Sequence, residues 1–86
     1  MKFVYPAIFK QQDGAYTVVF PDLPGCVTQG STYAEALEYA KEAATGWLEL
    51  TIRDGDEIPT ASNRDDIVCD NGFINDILID IEQVNE

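Results

Sequence analysis

Carboxylates are the side chains of this chain best equipped for chemistry: Asp and Glu number sixteen against five Lys and Arg, and histidine is absent. Asp65, Asp66, Asp70 and Asp76 fall close together, and acids at that density can hold a hard divalent cation through oxygen ligands. The calcium-loop order D-x-[DN]-x-[DN]-G fails, because the frame ending on Gly72 places Cys69 where an oxygen ligand is needed. These acids therefore read as a solvated acidic surface. Without histidine, general-base work near neutral pH falls to a carboxylate or lysine of shifted pKa, and no pattern in the sequence selects one. Cys26 and Cys69 lie far apart, without CxxC spacing and with no histidine to join, which excludes a zinc site or a Cys-His nucleophile within one chain. They read as two small buried thiols in a reducing compartment. Ser31 and Thr32 stand at a helix start and read as caps, not nucleophiles. The expectation is a protein without catalytic residues, metal or cofactor.

The acids are unevenly spread. Residues 1–53 carry six acids and four bases, a net of −2, while residues 54–86 carry ten acids and only Arg64, a net of −9; together they make the −11 of the whole chain. A surface this negative repels phosphate backbones and anionic lipid, so direct nucleic-acid or membrane binding is not expected. A basic protein partner is drawn to it instead.

The elements that must position these residues fit one small domain of 86 residues, 45% hydrophobic and 24% charged, a size at which the core is marginal and pairing between chains is a common remedy. No apolar window reaches the ~20 residues of a membrane span, and no basic-then-apolar leader opens the chain, so a soluble, cytoplasmic protein is expected. Phe3, Tyr5, Ala7 and Phe9 alternate with Val4, Pro6 and Ile8; after Asp13-Gly14, Tyr16, Val18 and Phe20 alternate with Thr17 and Val19. That is a hairpin closed by a strong turn signal. Pro6 cannot donate to a ladder, which predicts an edge strand or an outward-facing position there.

The run from Phe20 to Leu37 is the densest in local signals. Pro21 and Pro24 stiffen a loop, Gly25 turns it, Val27 to Gly30 makes a short third strand, and Thr32 with Glu35 forms a capping box that starts a helix at about Tyr33. From Tyr33 to Arg53, Leu37, Ala40, Ala44, Trp47, Leu48 and Thr51 form one stripe, and Gly55 caps the end. Gly46 inside the helix predicts a kink or the close approach of another backbone. A polar connection over 54–72 leads to a half-buried last strand from Phe73 to Val84, with Ile77, Ile79 and Ile81 inward and Asp76, Asp80 and Glu82 outward. The order β-β-β-α-β gives an α+β layer, one helix on one face of a curved, mostly antiparallel sheet whose other face is open.

This order of signals resembles the HicB antitoxin family, whose members share Phe-Pro-Asp-Leu-Pro-Gly-Cys, then Thr/Ser-x-Gly and Thr-x-x-Glu-Ala-Leu. Here these are Phe20 to Cys26, Thr28-Gln29-Gly30, and Thr32 to Leu37, and the match extends from Phe3 to Ser62. The resemblance implies a pared-down RNase H-like fold and an antitoxin that silences HicA, a small, basic, RNA-cleaving toxin with an essential histidine. RNase H-type catalysis places an acid in the first strand, and Lys2 to Lys10 contains none, so the chain is not expected to be an enzyme. Many members continue into a DNA-binding segment. Since the sequence stops at Glu86, the expectation is a single domain over 1–86, with no DNA-binding domain, acting as a stand-alone inhibitor.

Contact with the toxin is expected from the open sheet face, from the loop residues Asp22, Leu23 and Pro24, and from the acids Asp65, Asp66, Asp70, Asp76 and Asp80, which would take the places of RNA phosphates on a basic surface. Two structural roles stand beside this: Asp22 accepting hydrogen bonds within its turn, and Leu23 closing the core. Self-association into a dimer or tetramer, through a sheet edge or the helix, is also expected. The competing function is a regulatory or small-ligand-binding domain of the same fold with no toxin partner, which an apolar pocket between helix and sheet would favour.

Overall fold

A computed structural model of the chain describes residues 1–69 and 71–81. Four strands, β1 (Lys2–Gln12), β2 (Ala15–Val19), β3 (Val27–Gly30) and β4 (Phe73–Asp80), form one sheet in the order β3-β2-β1-β4, with every neighbouring pair antiparallel. Helix α1 (Tyr33–Arg53) packs on one face. The expected α+β layer is the observed one. Gln12 pairs with Ala15, so Asp13 and Gly14 form a two-residue turn, and their φ values of 52° and 83° are the left-handed pair of a type I′ hairpin.

Pro6 sits in a central strand and takes the second of its two expected places, with the position facing outward. It is tolerated because β1 pairs with β2 only as far as Ile8 opposite Val19, so the side of Pro6 that would donate faces past the end of β2. On the helix side of the sheet Tyr5, Phe9, Val18, Phe20, Ile77 and Ile79 are at most 2% exposed, and Ala36, Ala40, Ala44 and Leu48 of α1 close over them. Burying a side chain of this size contributes about 1.5–3 kcal/mol, so this layer holds the fold. Leu37 and Trp47 flank the helix stripe half-buried.

The helix starts and stops as its sequence directs. Thr32 Oγ1 accepts from the Glu35 N–H at 3.1 Å, while Glu35 Oε1 accepts from the Ser31 N–H at 3.0 Å, one residue earlier than the usual box. At the other end the Gly55 N–H bonds the Ile52 carbonyl and the Asp56 N–H bonds the Thr51 carbonyl, which is a Schellman motif. Gly46 meets no part of its own chain, so the expected close approach within the fold is absent there. It occurs at Gly30, where a Cβ would stand 2.5 Å from the Ala36 nitrogen and drive β3 off the helix start. Ile77, Ile79 and Ile81 are buried as expected; Glu82 and Val84 lie outside the described residues.

Candidate partner-binding surface

The Phe20–Cys26 loop is two tight turns in series. The Leu23 N–H bonds the Phe20 carbonyl at 3.1 Å and the Cys26 N–H bonds the Leu23 carbonyl at 2.9 Å. Pro24 followed by Gly25 at φ 81° suits the central pair of a type II turn. Leu23, at the junction, is fully buried. Its side chain is therefore part of the core and cannot serve as the apolar anchor for a partner, because reaching one would require opening the sheet-helix layer. Pro24 is exposed, and its carbonyl accepts from Trp47 Nε1 at 2.9 Å, which ties the loop to α1.

Asp22 is committed inside the molecule. Its Oδ2 accepts from the Ser62 N–H at 2.8 Å and its Oδ1 from the Ser62 hydroxyl. The buried Tyr5 hydroxyl donates to the Pro59 carbonyl, three residues before Ser62. Burial pushes the Tyr5 phenol up, and the nearby Asp22 charge adds to it. Burial likewise pushes the Cys26 thiol up, so it stays protonated and inert. Cys69 is only half-buried, against the expectation of two buried thiols.

Because Asp22 and Tyr5 hold residues 59–62 against the end of the sheet, the next residues are carried to the outer side of β4. Asn63 Oδ1 accepts from the Asp65 N–H and starts a single turn of 3-10 helix over Arg64–Asp66. Arg64 then fastens that turn to the sheet: its Nη2 donates to the Ile74 carbonyl at 2.6 Å and its Nη1 lies 3.8 Å from Asp76 Oδ2. Asp65 and Asp66 are exposed beside β4, which itself presents Asp76 and Asp80. Five residues expected at the partner surface thus fall into two sets. Asp65, Asp66, Asp76 and Asp80 share one side of the molecule, whereas Asp22 holds the segment that brings them there. Asp70 lies outside the described residues.

The sheet face away from α1 carries Val4, Leu78 and Val27, each about half exposed, with Val4 directly opposite Leu78. Asp76 and Asp80 alternate with Ile74 and Leu78 on this same face. An apolar band with an acidic rim suits a basic protein surface. Among the described residues no group of three or more acids and thiols is placed to hold a metal ion. A concavity of about 420 Å³ lies at the hairpin end, lined by Lys10, Gln11, Gln12 and Asn71. The space between helix and sheet is filled by side chains.

Comparison with known proteins decides the family. The model of the HicB-like antitoxin of bacterial toxin-antitoxin systems matches residues 5–85. The chain belongs to the HicB-like antitoxin family. Antitoxin HicB 2 of Photorhabdus laumondii is 37% identical over 60 residues, which cover 70% of this chain and 43% of that protein, so the chain spans less than half the length of this HicB relative. Among solved structures, a toxin-antitoxin complex from Streptococcus pneumoniae contains a chain that superposes with a TM-score of 0.81 at 24% identity, covering all of this chain and 81% of that one. A HicA3 and HicB3 complex gives 0.71 at 22%, covering 94% of this chain and all of that one. These two likenesses establish a shared fold. No described helix of this HicB-like chain is long and apolar enough to cross a membrane.

The sequence pointed to Asp22 and to the later acids but gave no sign of Ser62, Pro59 and Trp47 as their supports, or of Arg64 as a clasp. Each of these contacts joins residues at least ten apart, beyond the reach of local spacing.

Proposed function

We propose that this chain is the antitoxin of a type II pair, that it binds and neutralises a small basic HicA-like toxin, and that it does so as a binding protein without catalysis of its own. The observation that carries the reading is the family match together with four exposed carboxylates, Asp65, Asp66, Asp76 and Asp80, gathered on one side of the molecule beside an apolar sheet face. Carboxylates exposed in this way stand in for the phosphates of RNA on a basic surface and bar the substrate from it. Asp70 and the exposed Pro24 count in this reading as further contacts of the partner; Asp22 and Leu23 support the fold from within. The partner is met in the cytoplasm, and the chain meets no nucleic acid directly.

Self-association belongs to the same reading, through the outer face of α1. Tyr39 and Leu50 are exposed there on one stripe with Gly46, and the close approach that Gly46 permits is then supplied by a second copy of the helix. Co-expression with the small basic protein of the adjacent reading frame tests the function. Growth is restored and the two proteins co-purify at moderate salt if the reading holds; continued toxicity, with no complex recovered, refutes it.

A further inference from the structure

The outer edge of β4 is the longest unpaired strand edge in the described fold. β3 and β4 flank the sheet, and β4 has eight residues against four. The ladder determines which groups face outward. Met1 and Ile81 exchange both backbone bonds, at 2.7 and 2.8 Å, so Ile81 and, by alternation, Ile79, Ile77, Asn75 and Phe73 turn their N–H and C=O toward β1. Ile74, Asp76, Leu78 and Asp80 turn theirs outward. The Arg64 contact agrees, since it reaches the Ile74 carbonyl from outside.

Arg64 also shows what this edge holds. One guanidinium nitrogen takes the carbonyl at position 74 and the other lies near the carboxylate at position 76. The same pair of groups recurs four residues on, as the Leu78 carbonyl and the Asp80 carboxylate. Among the described residues nothing donates to either group, and Lys2, opposite Asp80 in the ladder, makes no ion pair with it. Leu78 is 52% exposed between the two seats.

We propose that the β4 edge receives an extended basic segment of a partner protein as a fifth strand, with an Arg or Lys of that segment seated on Leu78 and Asp80 as Arg64 is seated on Ile74 and Asp76. Main-chain bonds to the outward groups supply affinity, and the acids select a cationic strand. Charge excludes a second copy as the occupant: pairing β4 with itself would line the Asp76 and Asp80 carboxylates of two chains of net charge −11 along one seam. The inference deepens the toxin reading and rests on it for the source of the segment.

Amide hydrogen exchange of the full chain tests it, with two probes: the neighbouring basic toxin, and a synthetic peptide alternating Arg and Val. Protection of the Asp76, Leu78 and Asp80 amides by either probe is the expected result, and protection by neither overturns the inference. Protection by the peptide with no toxin binding defeats the toxin reading and leaves the edge site standing. Toxin binding that leaves these amides unprotected, with the peptide also silent, does the reverse. Protection that instead rises with the concentration of the chain alone assigns the edge to a second copy and overturns the inference as well. With the toxin as probe, Asp80→Asn weakens binding roughly tenfold, while Asp13→Asn in the exposed hairpin turn, at the other end of β1, leaves it unchanged. Leu78→Pro removes one outward donor without removing a bond to β1, and it weakens binding in a chain that still melts cooperatively.

Discussion

The Phe20–Cys26 loop and the Arg64–Asp80 edge are both built around aspartates, and they use them oppositely. In the loop, Asp22 accepts two hydrogen bonds from Ser62, Leu23 is buried and the Pro24 carbonyl is taken by Trp47. At the edge, Asp65, Asp66 and Asp80 are exposed, and Asp76 has one loose ion pair to an Arg that is itself half exposed. The loop, richest in sequence signature, carries structure. The edge, with almost no signature, carries the surface a partner can reach. Density of motif marks where the chain must hold one conformation; recognition asks only for charge and access.

The largest test of that contrast is Leu23→Ala. Emptying a fully buried leucine site costs about 2–5 kcal/mol, read as a lower urea midpoint. Binding of the toxin by the fraction that remains folded stays at the wild-type level. A variant of normal stability that has lost the toxin would invert the roles of the two regions.

Asp22→Ala comes next, at about 1–3 kcal/mol, because two donors of Ser62 lose their acceptor. Combined with Ser62→Ala in a double-mutant cycle, the pair shows a coupling of about 1 kcal/mol; strictly additive effects would mean that the contact holds nothing.

Tyr5→Phe costs about 1 kcal/mol through the bond to Pro59 and also changes the pH profile. The folded phenol titrates above its unfolded value of about 10, so near and above that pH the folded state holds the proton more tightly and stability falls as pH rises. The contribution is complete below pH about 10 and is lost through the folded pKa. Tyr5→Phe removes this alkaline loss, as urea titrations on either side of pH 10 record.

The smallest effect on stability belongs to Asp65→Asn with Asp66→Asn, within about 0.5 kcal/mol. The rate of association with the toxin falls roughly two- to fivefold at low salt, and the difference shrinks as salt is added. An effect on dissociation alone would place these acids in a buried contact and weaken the contrast.

Much of the fold was legible because its signals are local. Asp13-Gly14 fixed the hairpin, Thr32 and Glu35 the helix start, Gly55 its end, and the alternation of Ile77, Ile79 and Ile81 the buried face of β4. Pro6 was read correctly as facing away from any ladder partner, but which strand it sat in depends on pairings the sequence does not spell out; Gly46 meets nothing within the fold, because a glycine states what it permits and not what fills the space. Of the candidate surface, the acids were legible from charge alone. Their assembly was not, since it depends on Tyr5 reaching Pro59, Asp22 reaching Ser62 and Arg64 reaching Ile74 across 54, 40 and 10 residues of chain.

Of the four described strands, the one that completes the sheet is the latest in the chain. β1 lies in the middle of the sheet, and one of its two neighbours, β4, follows it by some sixty residues, so a nascent chain exposes one flank of its central strand until residues 73–80 have left the ribosome. That same strand bears Asp76, Asp80 and the carbonyl that holds Arg64. Completion of folding and arrival of the acidic edge are therefore a single event in the life of the molecule, and a protease that begins by peeling β4 away ends both at one stroke.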